Sequence, residues 1–161
     1  MKQFVVVLLV LSPLYFASAN NTNTYVKEFY SNGQLKSEGW LQAEYKTDYW
    51  IFYHPNGQVA AKGHFKSNKR HGYWYFYNLN GQLQKEGHFI QDSAEHWWIF
   101  YDIGSQNKSK FQFKNNKKNG FCLRYNKRKL IKAEEYHNGT KVGTWTSISE
   151  FKRDNPDASL R

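Results

Sequence analysis

The tetrad Trp50-Ile51-Phe52-Tyr53 returns as Trp74-Tyr75-Phe76-Tyr77 and again as Trp98-Ile99-Phe100-Tyr101, each time 24 residues on. Asn32-Gly33-Gln34 keeps the same step as Asn56-Gly57-Gln58 and Asn80-Gly81-Gln82. So do Gly39, Gly63 and Gly87, and Phe65, Phe89 and Phe113, while Gly72 and Gly120 stand two steps apart. Self-similarity at this period marks a stacked-repeat architecture, in which one unit cannot bury its apolar side without its neighbours. The units run 26–49, 50–73, 74–97 and 98–121; a fifth, 122–144, is one residue short, and a partial sixth covers 145–151. No 3.6-residue apolar period is present, so no long helix is expected.

Each unit reads as a β-hairpin. The aromatic tetrads suit strands, and Asn-Gly between two such runs is a strong hairpin signal. Gln82–Phe89 is the return strand, and a polar stretch such as Lys66–His71 leads to the next hairpin. A two-residue Asn80-Gly81 loop sets Trp74 opposite Gly87, Phe76 opposite Lys85 and Gly72 opposite Phe89; the preceding unit sets Trp50 opposite Gly63. Large rings then cover strand glycines, which otherwise weaken a sheet. Strand alternation yields two unlike faces. Trp50, Phe52, Phe65, Trp74, Phe76, Phe89, Trp98, Phe100 and Phe113 form the packing face. Tyr49, Ile51, Tyr53, Tyr73, Tyr75, Tyr77, Trp97, Ile99 and Tyr101 form an amphipathic one, with Lys62, His64, Glu86, His88 and Lys110 around them.

Asn-Gly-Gln-Leu-x-x-Glu-Gly at 32–39, the Trp-x-Phe-Tyr box and Lys69-Arg70-His71-Gly72-Tyr73-Trp74 resemble MORN repeats, most of all the divergent bacterial variant that carries an antitoxin-like label. The resemblance covers about residues 26–146. It implies an all-β protein, an elongated single-layer antiparallel sheet of stacked hairpins. It also implies binding or scaffolding rather than catalysis, with membrane or phospholipid contact in some members. Two units depart from the pattern. The fourth has Asp102-Ile103-Gly104-Ser105 where Asn-Gly would stand, and the fifth has Cys122 for Trp and Asn126-Lys127-Arg128-Lys129 in its turn.

Lys2, the apolar run Phe4–Leu11, Pro13 and Ala17-Ser18-Ala19 form the pattern of a secretory signal peptide over residues 1–19. The run is shorter than the roughly 20 apolar residues a membrane span needs. A spacer follows at 20–25, then the repeat domain at 26–151, then a polar, frayed tail at 152–161. The expected location is outside a bacterial cytoplasm, in the periplasm or beyond. There the lone Cys122 reads as a small buried hydrophobe.

The formal charge of +10 is uneven. Lys108, Lys110, Lys114, Lys117, Lys118, Arg124, Lys127, Arg128, Lys129 and Lys132 fall between Ile103 and Ala133, a stretch without Asp or Glu. They read either as solvated edge residues or as a patch for anionic lipid or an envelope polymer. Phe111, Phe113, Phe121 and Tyr125 interleave them as in single-strand binders, but export argues against nucleic acid. The second candidate surface is aromatic: Tyr49, Tyr53, Tyr73, Tyr75, Tyr77, Trp97 and Tyr101, suited to a protein partner. His64 and His88 lie two strand spacings apart, about 9–10 Å, too far to share one metal ion. Glu134 and Glu135 point to opposite faces, and no catalytic signature motif occurs. The expectation is a non-enzymatic binding protein without cofactor or metal. Its expected partner is a protein, with anionic lipid or envelope polymer as the alternative.

Overall fold

The computed structural model describes residues 22–158. The expected signal peptide therefore lies outside the described residues. Eleven strands follow in chain order: β1 (Asn23–Phe29), β2 (Leu35–Gln42), β3 (Tyr45–Tyr53), β4 (Val59–Lys66), β5 (Lys69–Tyr77), β6 (Leu83–Ile90), β7 (Ser93–Tyr101), β8 (Lys108–Lys114), β9 (Lys117–Asn126), β10 (Lys129–His137) and β11 (Thr140–Trp145). One short helix, α1 (Ile148–Asp154), ends the described chain. The strands form a single open antiparallel sheet in the order of the sequence, so each pairs only with its chain neighbours. Strand β1 starts inside the expected spacer. The expected polar tail is helical through Asp154.

The register is the one the glycines and tryptophans demand. Trp74 pairs with Gly87, Phe76 with Lys85, Gly72 with Phe89 and Trp50 with Gly63. The loop that delivers it is not the expected two-residue turn. Asn78 N–H donates to Gln82 O at 2.9 Å, and Gly81 N–H donates to Asn78 O at 2.9 Å, so Leu79-Asn80-Gly81 is a three-residue loop with Gly81 at φ 76°. Past Phe76 opposite Lys85 the next pair is Tyr77 opposite Leu83, which leaves Gln84 as a bulge. An odd loop and a one-residue bulge cancel, so the pairing beyond them is that of a tight turn. In the fourth unit the loop runs over 103–106 and no bulge follows, so the 24-residue length is kept. In the fifth, Lys127-Arg128 alone links β9 to β10 while a bulge at Ile131 remains. The missing residue of that unit is a loop residue, and the hairpin forms.

The polar stretches between units are tight hairpins too. Ala43-Glu44, Ser67-Asn68, Gln91-Asp92 and Asn115-Asn116 each have positive φ at both residues, the geometry of a type I′ turn. Just beyond each turn the odd-numbered strand carries two extra residues, the first in the left-handed region: Asp48, Gly72, His96 and Gly120, again 24 apart. Glycine takes that conformation freely, while Asp48 and His96 take it under strain. The bulge leaves a backbone carbonyl unpaired, and an indole fills the vacancy. Trp50 Nε1 donates to Trp40 O at 3.0 Å, Trp74 Nε1 to His64 O at 3.0 Å and Trp98 Nε1 to His88 O at 3.1 Å.

These rings build the main core. Trp74, Phe89 and Trp98 are buried, with Phe52, Phe65, Phe76, Phe100 and Phe113 packed around them, as the packing face predicts. Each indole lies back over the glycine of the preceding strand: Trp50 over Gly39, Trp74 over Gly63, Trp98 over Gly87. Lys46, Arg70 and Lys118 roof the rings at 4.3, 3.9 and 4.3 Å from the Trp50, Phe89 and Phe111 centroids, so cations take the place of a second layer. In the next step Phe111 stands at the glycine position and Cys122 at the tryptophan position, and the two pair. The bulk has moved one strand over. Cys122 is fully buried, and burial pushes its thiol up to about 11, as befits a small packing residue.

A second core lies on the opposite face, at the chain's end. Leu123, Ala133 and Phe151 are buried there, with Trp97, Phe121 and Trp145 packed around them. Phe151 reaches down from α1 to within 5.0 Å of the Phe121 ring centroid and 5.3 Å of Trp145. Ser147 caps the helix, its Oγ accepting from Glu150 N–H at 3.2 Å.

Candidate functional site

The amphipathic face is where the sheet presents chemistry to solvent. Register places Glu38, Lys62, Glu86 and Lys110 on β2, β4, β6 and β8 in one row across the strands, with Ile51, Tyr75 and Ile99 between them on β3, β5 and β7. The four charged residues share one position of the 24-residue repeat, and their sign alternates. All seven side chains are half-buried.

The tyrosines named from the sequence hold these charges. Tyr53 Oη donates to Glu38 Oε1 at 2.6 Å, and Tyr101 Oη donates to Glu86 Oε1 at 2.6 Å, two repeats later. Lys62 Nζ sits 5.6 and 5.5 Å from the Tyr75 and Tyr77 ring centroids, and Lys110 Nζ sits 4.9 Å from Trp97. The hydrogen bond from Tyr53 holds the Glu38 carboxyl below its ordinary range despite the opposing effect of burial. Burial, and then Glu38, pushes Tyr53 up to about 12; burial, and then Glu86, does the same to Tyr73. Burial and Glu86 likewise raise Tyr101. The Tyr77 hydroxyl raises Lys62, whereas burial and the nearby Lys108 lower Lys110. The Glu38 carboxylate and the Lys62 ammonium group therefore stay charged at neutral pH, and the Tyr53, Tyr73 and Tyr101 phenols stay protonated donors. Tyr49 packs edge-on to His64 at 4.9 Å and Tyr73 to His88 at 5.4 Å. Trp97 is drawn into the second core.

The basic stretch does not gather into one patch. Lys108 and Lys110 lie on the tyrosine face, and Lys118, Arg124 and Lys132 on the tryptophan face. Lys114 and Lys117 flank the Asn115-Asn116 turn, while Lys127, Arg128 and Lys129 are exposed at the other end of β9, about 30 Å away along an extended strand. Several of these cations have internal tasks. Glu134, buried, accepts ion pairs from Lys132 at 2.9 Å, Arg124 at 3.4 Å and Lys141 at 3.6 Å. Burial pushes its carboxyl up, but the Lys132 hydrogen bond and the three positive charges outweigh that and hold it at about 2. This cluster, and the sign alternation along the Glu38 row, went unread in the sequence.

An open meander of hairpin repeats, with aromatic rings on both faces, defines a β-repeat protein. The chain matches the MORN repeat variant family model in three repeats, over residues 24–46, 49–67 and 70–91. These segments span β1 to β6 and carry the glycine–tryptophan register in its unaltered form. MORN repeats are often binding or scaffolding modules, and the fold is generally non-enzymatic. No curated protein matches the chain. Among the described residues no helix is long and apolar enough to cross a membrane.

Proposed function

We propose that this chain is a non-catalytic, exported binding module that recognises a protein through its tyrosine face. One observation carries the reading. Over β3 to β7 this face offers half-buried phenol rings, fixed charges and hydrogen-bond donors, and among the described residues α1 lies over its far end alone. Tyrosine held by neighbouring side chains gives large contact area with little further ordering cost, which suits a protein interface. Export rests on the signal-peptide pattern at 1–19. An antitoxin-like role is the case in which the protein bound is a toxin.

The test is capture from the cell's own envelope extract at low and high salt. The exported chain is compared with a variant carrying Tyr53→Ser, Tyr75→Ser and Tyr77→Ser. The expected outcome is one protein retained at high salt by the parent and lost by the variant, whose tryptophan core is untouched. Equal retention by both would refute the assignment of the face. A second reading, adsorption to anionic lipid or envelope polymer, has the exposed Lys127-Arg128-Lys129 turn in its favour. Binding of that kind weakens sharply with salt and is removed by neutralising those three residues.

A further inference from the structure

The tyrosine face is charge-complementary to itself. Read from β2 to β8, its central row runs Glu38, Ile51, Lys62, Tyr75, Glu86, Ile99, Lys110. A two-fold axis at Tyr75, lying between the facing sheets and parallel to the strands, reverses the order for a second copy. Glu38 then meets the partner's Lys110, Lys62 meets the partner's Glu86, Ile51 meets the partner's Ile99, and Tyr75 meets its own equivalent. Every carboxylate lands on an ammonium group and every apolar residue on an apolar one. The inversion holds over seven consecutive strands. It exists because the repeat position alternates in sign, so a translation by one repeat would set like charges together.

We propose that the partner of this face is a second copy of the same chain, bound isologously about Tyr75. This rests on the reading of the tyrosine face as a protein interface and names its occupant. Three further observations support it. Among the described residues, Lys62, Glu86 and Lys110 have no ion-pair partner within their own chain. Each keeps capacity, since a carboxylate that accepts one phenol hydrogen has lone pairs to spare and an ammonium group has three donors. The footprint also fits: seven strands about 4.8 Å apart and eight or so residues long cover roughly 800 Å², the size of a standard interface per partner. Finally, α1 lies on β10 and β11, and its Phe151 reaches the β9 ring Phe121. The two-fold ends the seven-strand overlap with β2 over the partner's β8; beyond it α1 already covers Leu123 on β9, so each helix borders the overlap and blocks sliding beyond that register.

Sedimentation equilibrium of the full chain tests this, with Glu86→Lys and the charge swap Lys62→Glu with Glu86→Lys as variants. The parent is expected to approach twice its monomer mass as concentration rises. Glu86→Lys puts like charges together at both symmetry-related contacts and should halve the mass. The swap should restore it, because each new carboxylate again meets a new ammonium group across the axis. If Glu86→Lys fails to give a cooperative melt, Glu38→Lys and its swap with Lys110→Glu ask the same question at the outer contact. A monomer at every concentration overturns the inference. So does a dimer indifferent to the reversal, which is what pairing through the open strand edges would give, and so does a swap that fails to restore mass. A monomeric chain that captures another protein, and loses it with the three tyrosines, overturns the self-association alone. Retention of that protein by the tyrosine variant overturns the underlying reading instead.

Discussion

Gly63 has no room for a side chain. A methyl group there would press into the Trp74 indole, which is itself fixed by its hydrogen bond to His64 O at 3.0 Å. Gly63→Ala should therefore cost about 1–3 kcal/mol, the range for overpacking a tight site, read as a lower urea midpoint. His96 presents the reverse case. It sits at φ 60° in the position that Gly72 and Gly120 occupy in other units. His96→Gly relieves the left-handed strain, less the entropy glycine loses on folding, and should raise stability by roughly 0.5–1 kcal/mol. Among the groups that shape the acid response, His88 and Glu134 act in different pH windows. His88 is lowered by burial and then by His96 and His71, so the fold disfavours its protonation. Its contribution is complete above the ordinary value of 6.5 and is lost as pH falls below that. Glu134 titrates near 2 against an ordinary 4.5, so its contribution is complete above about 4.5 and drains away toward about 2. Glu134→Gln leaves three cations around a neutral group. It should cost about 3 kcal/mol at neutral pH and flatten the lower limb of a stability–pH curve measured by denaturant melts, leaving the part that Glu38 and Asp92 contribute. An unchanged lower limb would place the acid response elsewhere.

At the scale of elements, the strands and their faces were legible because a period-2 pattern and a 24-residue period reinforce each other. Trp50, Trp74 and Trp98 sit against glycines in one register and no other. The turns were legible in place but not in kind. Asn80-Gly81 says where the chain reverses, yet the bulge at Gln84 that offsets the third loop residue has no residue signature of its own. Helix α1 was missed because seven residues with one buried side chain show no periodicity, although Ser147-x-x-Glu150 is a capping-box signal, of which the bond from Glu150 N–H to Ser147 Oγ forms. The alternating row was missed for a different physical reason: self-comparison of repeats finds positions of constant identity and passes over one whose residues change sign. Helix α1 earns its place through Phe151, which is 1% exposed and closes the second core. Phe151→Ala should cost about 3–5 kcal/mol and make the Trp97 and Trp145 fluorescence more solvent-like before the main melt. A cost within 0.5 kcal/mol would mean the helix does not hold β10 and β11.

On the scale of the whole molecule, the sheet is a one-dimensional array, since among the described residues every strand pairs only with its sequence neighbours and ring contacts such as Phe52 with Trp74 and Phe76 with Trp98 join adjacent repeats. Stability in such an array is the sum of unit terms and nearest-neighbour terms, and opening starts at the ends. The two ends differ. Strand β1 is largely exposed, with Tyr25 and Phe29 on the open face, and its outer edge is unpaired among the described residues. At the other end α1 packs over β10 and β11 and buries Leu123 and Ala133 beneath it. Opening should therefore proceed from β1 inward. Amide hydrogen exchange checks this strand by strand: protection is expected to be lowest in β1 and β2, to climb through β3 and β4, and to stay high to β10. Phe151→Ala should lower protection in β10 and β11 and leave β4 to β6 as the slowest strands, while β1 changes little. Protection that falls uniformly across all strands in that variant would show an all-or-none unit, in which the nearest-neighbour picture fails.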